Sequence, residues 1–250
     1  MTKWSFSKLQ AYDTCPYMFR LNYIEHTEQE PNAFAQYGTF CHSLLEQHNK
    51  GEISAEELAD KYILEYGNNI TVPFPDVPPN MAERYMTAGL NYFRNYKGFA
   101  PYKVIGVEQN FEMTLDNGDI FKGIIDLILQ NPYDNSYVIV DHKSKSEYGM
   151  IKDFDKYIKQ LYIYSAYIKN TYGIYPDKLV FNMFRSGSFI TEQFSLAKFR
   201  RVFEWLYNTI DLINSAKDFP YKENEYFCQN VCSFRSICPS NQSKQKFKPP

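Results

Sequence analysis

The stretch "YVIVDHKSKS", Tyr137 to Ser146, decides the fold. Tyr137–Val140 is aromatic and β-branched, the composition of a buried strand. It runs directly into Asp141, His142 and Lys143. Side chains alternate faces along a strand. Ile139, Asp141 and Lys143 therefore share one face, and Val138, Val140 and His142 share the other. A carboxylate and an ammonium stand together at the margin of an apolar patch. Taking ions out of water costs on the order of several kcal/mol each unless they pair or bind a metal. By itself the segment fits either a strand running out into solvent with a weak ion pair, or the edge of a charged site.

A second acid sharpens the choice. "KGIIDLILQ", Lys122–Gln130, places Asp126 inside another apolar strand, where a lone carboxylate is expensive. The turn "NPYDN" between the two strands is short, so they pair antiparallel and bring Asp126 towards Asp141. Two carboxylates in a low-dielectric site repel unless a cation lies between them. Magnesium is the natural cation for hard oxygen ligands. A lysine beside it, Lys143, can orient the attacking water or neutralise charge on a phosphate.

The remaining chain gives the setting. Hydrophobic residues make up 44% of 250, a globular composition. No apolar run approaches the roughly 18 residues of a membrane span, and "MTKWSFSKLQAYD" lacks a signal core. These features lead to an expectation of a cytoplasmic protein with no membrane partner. With 27 basic and 29 acidic residues, any nucleic-acid binding must be local. Some of the 22 Tyr and 20 Phe are candidates to stack on bases.

The pattern of elements predicts an α+β domain, a central mixed sheet flanked by helices. Helices are expected from a capping box at Ser7–Gln10, in "YMFRLNYI", and over Gln36–Asn49, Ala55–Tyr66 and Asn80–Tyr96. Strands follow at Lys103–Leu115 and Asp119–Leu129, joined by the turn Asp116-Asn117-Gly118, and then at Tyr137. A helix over Asp153–Tyr172, strands Lys178–Phe184 and Phe189–Phe194, and a helix over Leu196–Ala216 complete the series. Residues 1–239 read as one domain, with a helical part (1–100), a sheet core (101–195) and a closing C-terminal segment. Residues 240–250 read as a polar, disordered tail.

The ordered series "GTFCHSLLE", "GIID", "VDHK" and "QLYIY", after an opening "SFSKLQAYDTCPYMF", resembles the PD-(D/E)XK nuclease superfamily in its RecB-like branch. The resemblance runs from about Ser5 to Cys238. It implies a restriction-endonuclease-like core. It also implies His42, Asp126 and Asp141 as ligands for magnesium or manganese, and Lys143 as the catalytic lysine. Gln160 and Tyr164 match the helix motif that supports the site and touches DNA. Glu108 matches an acid before the first motif strand and is given a supporting role.

Five cysteines in a chain expected to be cytosolic argue against a disulfide framework. Cys228, Cys232 and Cys238 are spaced C-x3-C-x5-C, which suits zinc or an iron–sulfur cluster. The resemblance extends to AddB-type helicase-nucleases and the four-cysteine nucleases of CRISPR adaptation. It implies a 4Fe-4S cluster held by Cys15, Cys228, Cys232 and Cys238, although the first C-terminal pair has three intervening residues where the family has two. Cys41 reads as a small buried residue.

The function implied is a magnesium-dependent deoxyribonuclease. It would be an exonuclease on DNA ends or single strands, in recombination, repair or phage DNA processing. The alternatives are end-trimming in CRISPR adaptation, or a non-catalytic DNA-binding scaffold. No G-x-x-x-x-G-K-[ST] loop occurs, so unwinding would fall to a helicase or recombination partner.

Overall fold

A computed structural model of the chain describes residues 2–241. Its elements run β1 (Lys3–Trp4), α1 (Phe6–Thr14), α2 (Pro16–Tyr23), α3 (Ala33–Asn49), α4 (Leu58–Asn69), α5 (Met81–Arg94), β2 (Lys103–Thr114), β3 (Ile120–Gln130), β4 (Tyr137–Lys143), α6 (Glu147–Lys152), α7 (Phe154–Tyr172), β5 (Lys178–Met183), β6 (Ser188–Gln193) and α8 (Leu196–Ser215). A π-helical turn over Phe227–Val231 follows. The architecture is the expected mixed sheet flanked by helices.

β3 is the axis of the sheet. β2 pairs antiparallel along its whole length. On the other side its start pairs parallel with β1 and its end pairs antiparallel with β4. β5 then joins β4 in parallel, and β6 closes the edge antiparallel to β5. A strand flanked on both edges and covered on both faces must be apolar almost throughout, which is why Ile125–Leu129 is buried without a break. On one face Ile128, Ile139 and Phe181 pack with Leu161, Ile168, Leu206 and Ile210 of α7 and α8. On the other, Leu127, Leu129, Val138, Val140 and Val180 form a smaller cluster with Phe99 and Tyr102. A third cluster belongs to α3, α4 and α5, with Phe184 entering it from just beyond β5.

The structure moves several boundaries. The first helix is capped by Ser5, not Ser7: Ser5 is extended at φ −148° and its hydroxyl accepts from the Lys8 amide at 3.3 Å. Gln10, the expected reciprocal partner, leaves its buried Nε2 without a hydrogen bond. The earlier start lets Phe6 join the core. α3 begins three residues ahead of Gln36 because Asn32 caps it, accepting from the Phe34 and Ala35 amides. α4 begins three residues after Ala55. β1 and α6 are additional; α6 starts where the Ser146 hydroxyl accepts from the Gly149 amide. Two residues assigned to the disordered tail are buried: Ser240, and Asn241, which donates to the Cys228 and Arg235 carbonyls. The remainder of that tail lies outside the described residues.

Gly123 shows how tightly α7 sits on the sheet. It pairs across the strands with Phe111. A Cβ at this position would come within 2.8 Å of both the Phe111 and Tyr164 rings. Both rings are buried, so neither can simply swing away. Gly123→Ala is expected to destabilise the fold by about 1–3 kcal/mol through overpacking, a fall in Tm of roughly 2–12 °C for a chain of this size. Thermal unfolding reads this directly, and an unchanged Tm would contradict the packing.

Candidate active site

The register of three strands puts three carboxylates in a row. Val107 faces Leu127 and Gln109 faces Ile125, so Glu108 stands opposite Asp126. Leu127 faces Val140, and one step further along the same register Asp126 stands opposite Asp141. Like charges directly opposite on neighbouring strands destabilise a sheet. Here burial compounds the cost, because Asp126 is 9% exposed and Asp141 3%. Burial, reinforced by the nearby Asp141, pushes the Asp126 carboxyl well above the usual carboxylate range. Burial and Glu46 push Glu108 up as well. Glu108 also sits at φ +45°, next to the irregularity in β2 between Val104 and Gly106. A left-handed non-glycine residue of this kind costs on the order of 1–3 kcal/mol and tends to mark a functional site.

α3 brings His42 to this row. His42 Nε2 lies 2.8 Å from the His142 carbonyl oxygen. A carbonyl only accepts, so Nε2 carries the hydrogen and Nδ1 of the neutral ring presents a lone pair. That Nδ1 lies 3.5 Å from Asp126 Oδ2. Burial outweighs the pull of Asp141 and holds His42 below its ordinary pKa, which favours the neutral ring. An unprotonated nitrogen therefore faces a carboxyl oxygen of Asp126, a donor pair that suits a cation. A backbone carbonyl that fixes the far nitrogen of a histidine is the usual support of a metal-ligating imidazole. His42, Glu108 and Asp126 each offer one ligand atom, all within 4.8 Å of one another.

Asp141 has a different partner. Its Oδ2 lies 2.5 Å from Lys143 Nζ, both residues being on the face of β4 that the sequence pattern assigns them. Burial alone would depress the Lys143 ammonium, but Asp141 and Asp126 outweigh it and hold its pKa above the ordinary value. Lys143 also donates to Gln160 Oε1 at 3.1 Å. Because an ammonium only donates, the amide nitrogen of Gln160 turns away, and it donates to the Tyr164 hydroxyl at 3.0 Å. α7 thus aims the lysine through one amide. Burial and Asp141 keep the Tyr164 phenol protonated by raising its pKa.

From the sequence, Glu108 is expected only to support the site. The structure places it inside the compact His42–Glu108–Asp126 group, while Asp141 lies beside that group, paired to Lys143. Two contributors had no assigned role. Glu46, one turn after His42 on α3, adds negative charge near Glu108. The His142 amide donates to Asp126 Oδ2 at 2.7 Å, while its ring is buried beside Asn182.

The cysteines lie elsewhere. Cys15, Cys228, Cys232 and Cys238 line one cleft of ≈ 1170 Å³ between α1, α2 and the C-terminal segment. Cys15 Sγ accepts from the Lys222 amide at 3.4 Å, and Cys228 Sγ lies 3.8 Å from the carbonyl oxygen of the same residue. Burial, with the three other sulfurs nearby, raises the Cys232 thiol to about 11. Among the described residues no three of these sulfurs lie within 4.8 Å of one another, so they form no compact ligand set for a single ion. Cys41 is buried in α3, as expected.

Comparison with known proteins places this geometry. The model of the PD-(D/E)XK nuclease superfamily matches residues 3–239. The Gene 69 protein of Mycobacterium phage D29 is 25% identical over 203 residues, covering 70% of this chain and 71% of that protein. The crystal structure of a candidate exonuclease from Eubacterium rectale superposes with a TM-score of 0.51 at 10% identity, over 98% of this chain and 89% of that one. That likeness establishes the fold.

The raised Asp126 carboxyl makes a metal-free prediction. A group that binds its proton more tightly folded than unfolded destabilises the fold as pH rises above the ordinary carboxylate range, until the folded pKa is passed. Asp126→Asn should therefore raise Tm in chelator-treated protein at pH 8, and the gain should shrink as pH falls towards 4. A lower Tm at pH 8 than wild type would contradict the electrostatic account.

Proposed function

The chain belongs to the PD-(D/E)XK nuclease superfamily, and from that membership we propose a magnesium-dependent deoxyribonuclease acting on DNA ends or single strands. The observation that carries the reading is the row Glu108, Asp126 and Asp141 with Lys143 at its end and the His42 lone pair turned towards it. Such a row is costly without a cation and chemically useful with one. Its donor set, carboxylate oxygens and one imidazole, suits magnesium or manganese.

Asp126, Asp141 and His42, with Glu108 as a further oxygen donor, would hold the metal, which supplies Lewis acidity and a water of lowered pKa. Lys143 is held in its charged form, so it serves as a cation and not as a base. Its ammonium neutralises charge that grows on the phosphate as water attacks and the ester oxygen departs. Gln160 keeps that ammonium on the reacting side of the site, and Tyr164 keeps Gln160 in place. The name of the Eubacterium rectale protein agrees with an exonuclease, though not at an identity that carries its substrate over.

Cleavage of labelled single- and double-stranded DNA with and without magnesium tests this reading. Asp126→Ala and Asp141→Ala should each abolish cleavage while leaving the fold intact. Lys143→Ala should lose most turnover yet keep metal and DNA binding, and Lys143→Arg should recover part of it through its charge. Wild-type rates in either aspartate variant, or metal-independent cleavage, would remove the assignment.

For Cys15, Cys228, Cys232 and Cys238 we propose a 4Fe-4S cluster that ties α2 to the C-terminal segment. Their convergence on one cleft supports this. A cluster spaces its thiolates through several iron and sulfide atoms, so it does not require the compact set that one ion would. A structural metal is absent from the unfolded chain and therefore stabilises the folded one. Protein purified without oxygen should be brown and contain iron, and Cys15→Ser should lose both colour and thermal stability. Stoichiometric zinc without iron in such protein would rule the cluster out.

A further inference from the structure

A second large cleft, ≈ 1120 Å³, lies between α5 and the turn joining β5 to β6. It contains none of the carboxylates described above. Two of its lining residues, Arg84 and Arg185, also line the cysteine-bearing cleft described above, which reaches Ser144 and Lys145 just beyond β4. The two arginines thus form the shared wall of both clefts. β5 pairs with β4 so that Met183 faces Lys143. Arg185, two residues further, reaches back with Nη1 3.5 Å from the Ser144 carbonyl oxygen. Ser144 directly follows Lys143 at the end of β4.

Neither arginine is neutralised. Among the described residues neither forms an ion pair with a carboxylate. Arg185 is instead held rigid by a neutral ring: its guanidinium lies 3.9 Å over Tyr85 and donates to the hydroxyl at 2.8 Å. Its Nε is buried without a hydrogen-bond partner. The cleft is also lined by Lys97 and by one acid, Glu83, so basic groups outnumber acidic ones along it. Guanidinium forks fit phosphate oxygens. The same cleft carries the Phe189 ring, 52% exposed, with Phe99 packed against it at 5.7 Å. An exposed aromatic beside a pair of cations is the arrangement that receives a base and its phosphate from a single strand.

We propose that this cleft, where Phe189 stands on the His142 and Asn182 face of the sheet, opposite the face of Asp141 and Lys143, holds a single nucleic-acid strand, with Arg84 and Arg185 each gripping a backbone phosphate and Phe189 stacking a base. The proposal rests on the nuclease reading and adds a path for the substrate. The arginines would hold the strand and take no part in the bond-breaking step.

The test measures binding of a labelled oligothymidylate to the full chain by fluorescence anisotropy, with chelator present so that nothing is cut, at several salt concentrations. Arg84→Gln and Arg185→Gln should each weaken binding about tenfold. Each should also reduce the steepness of log Kd against log salt by about 0.7, the loss of one phosphate contact on a single strand. Arg185→Lys should keep the steepness. Phe189→Ala should weaken binding about fivefold or more and leave the steepness unchanged. If Arg185→Gln lowers Tm through its lost contact with Tyr85, then Arg84→Gln and Phe189→Ala decide the matter. Wild-type affinity and steepness in those two variants, with a wild-type protein that binds and cleaves, would overturn this proposal alone. A wild-type protein that neither binds nor cleaves nucleic acid would overturn the nuclease reading with it.

Discussion

Like-charge repulsion inside a well-packed sheet is the constraint around which this protein is organised. Three carboxylates stand in register on β2, β3 and β4, and two of them are buried. Nothing in sheet formation asks for them; every principle of strand packing opposes them. They are tolerated because the surrounding strands over-determine the register: β3 is bonded on both edges and apolar on either side of Asp126. Lys143 offsets part of the repulsion and the His142 amide another part, and burial with Asp141 makes Asp126 hold its proton more tightly than an ordinary carboxyl. What remains is a latent demand for positive charge at one place.

Two helices more than a hundred residues apart in sequence converge on that place, and each delivers a different chemistry. α3 presents a lone pair through His42, whose tautomer is fixed by the backbone of β4. α7 presents a hydrogen-bond relay through Gln160 and Tyr164. In both cases the polarity of an otherwise ambiguous side chain is decided by a partner that can act only one way, a carbonyl for His42 and an ammonium for Gln160. The orientation of the site is therefore written into the strand that carries it.

Much of this was legible in the sequence because the informative signals are local. An acid inside an apolar strand, or an acid and a lysine two apart at a strand end, announces its cost without any knowledge of the fold. Glu108 was harder to read. Its importance depends on standing opposite Asp126, and that register depends on an irregularity near Val104 and Gly106 that no local pattern discloses. The start of α1 failed for a related reason. Ser7 and Gln10 satisfy the capping pattern, but Ser5 wins because capping there lets Phe6 reach the core. The arginine wall is invisible in sequence altogether, since Arg84 and Arg185 meet only through the packing of α5 against the end of β5.

The two ends of the chain are laced together. The Ser236 amide donates to Glu30, the Lys222 amide to Cys15 and the Trp205 indole to Asp13, across sequence separations of 206, 207 and 192 residues. Asn32 reaches the Val231 carbonyl while it caps α3. A ribosome releases the chain from its beginning, so α1 and α2 emerge long before the segment that completes their environment. The sheet and α7 can assemble in the meantime from contacts much closer in sequence. α1 and α2 are thus made before the sheet yet are among the last of these elements to be finished, and their apolar faces wait for residues not yet translated.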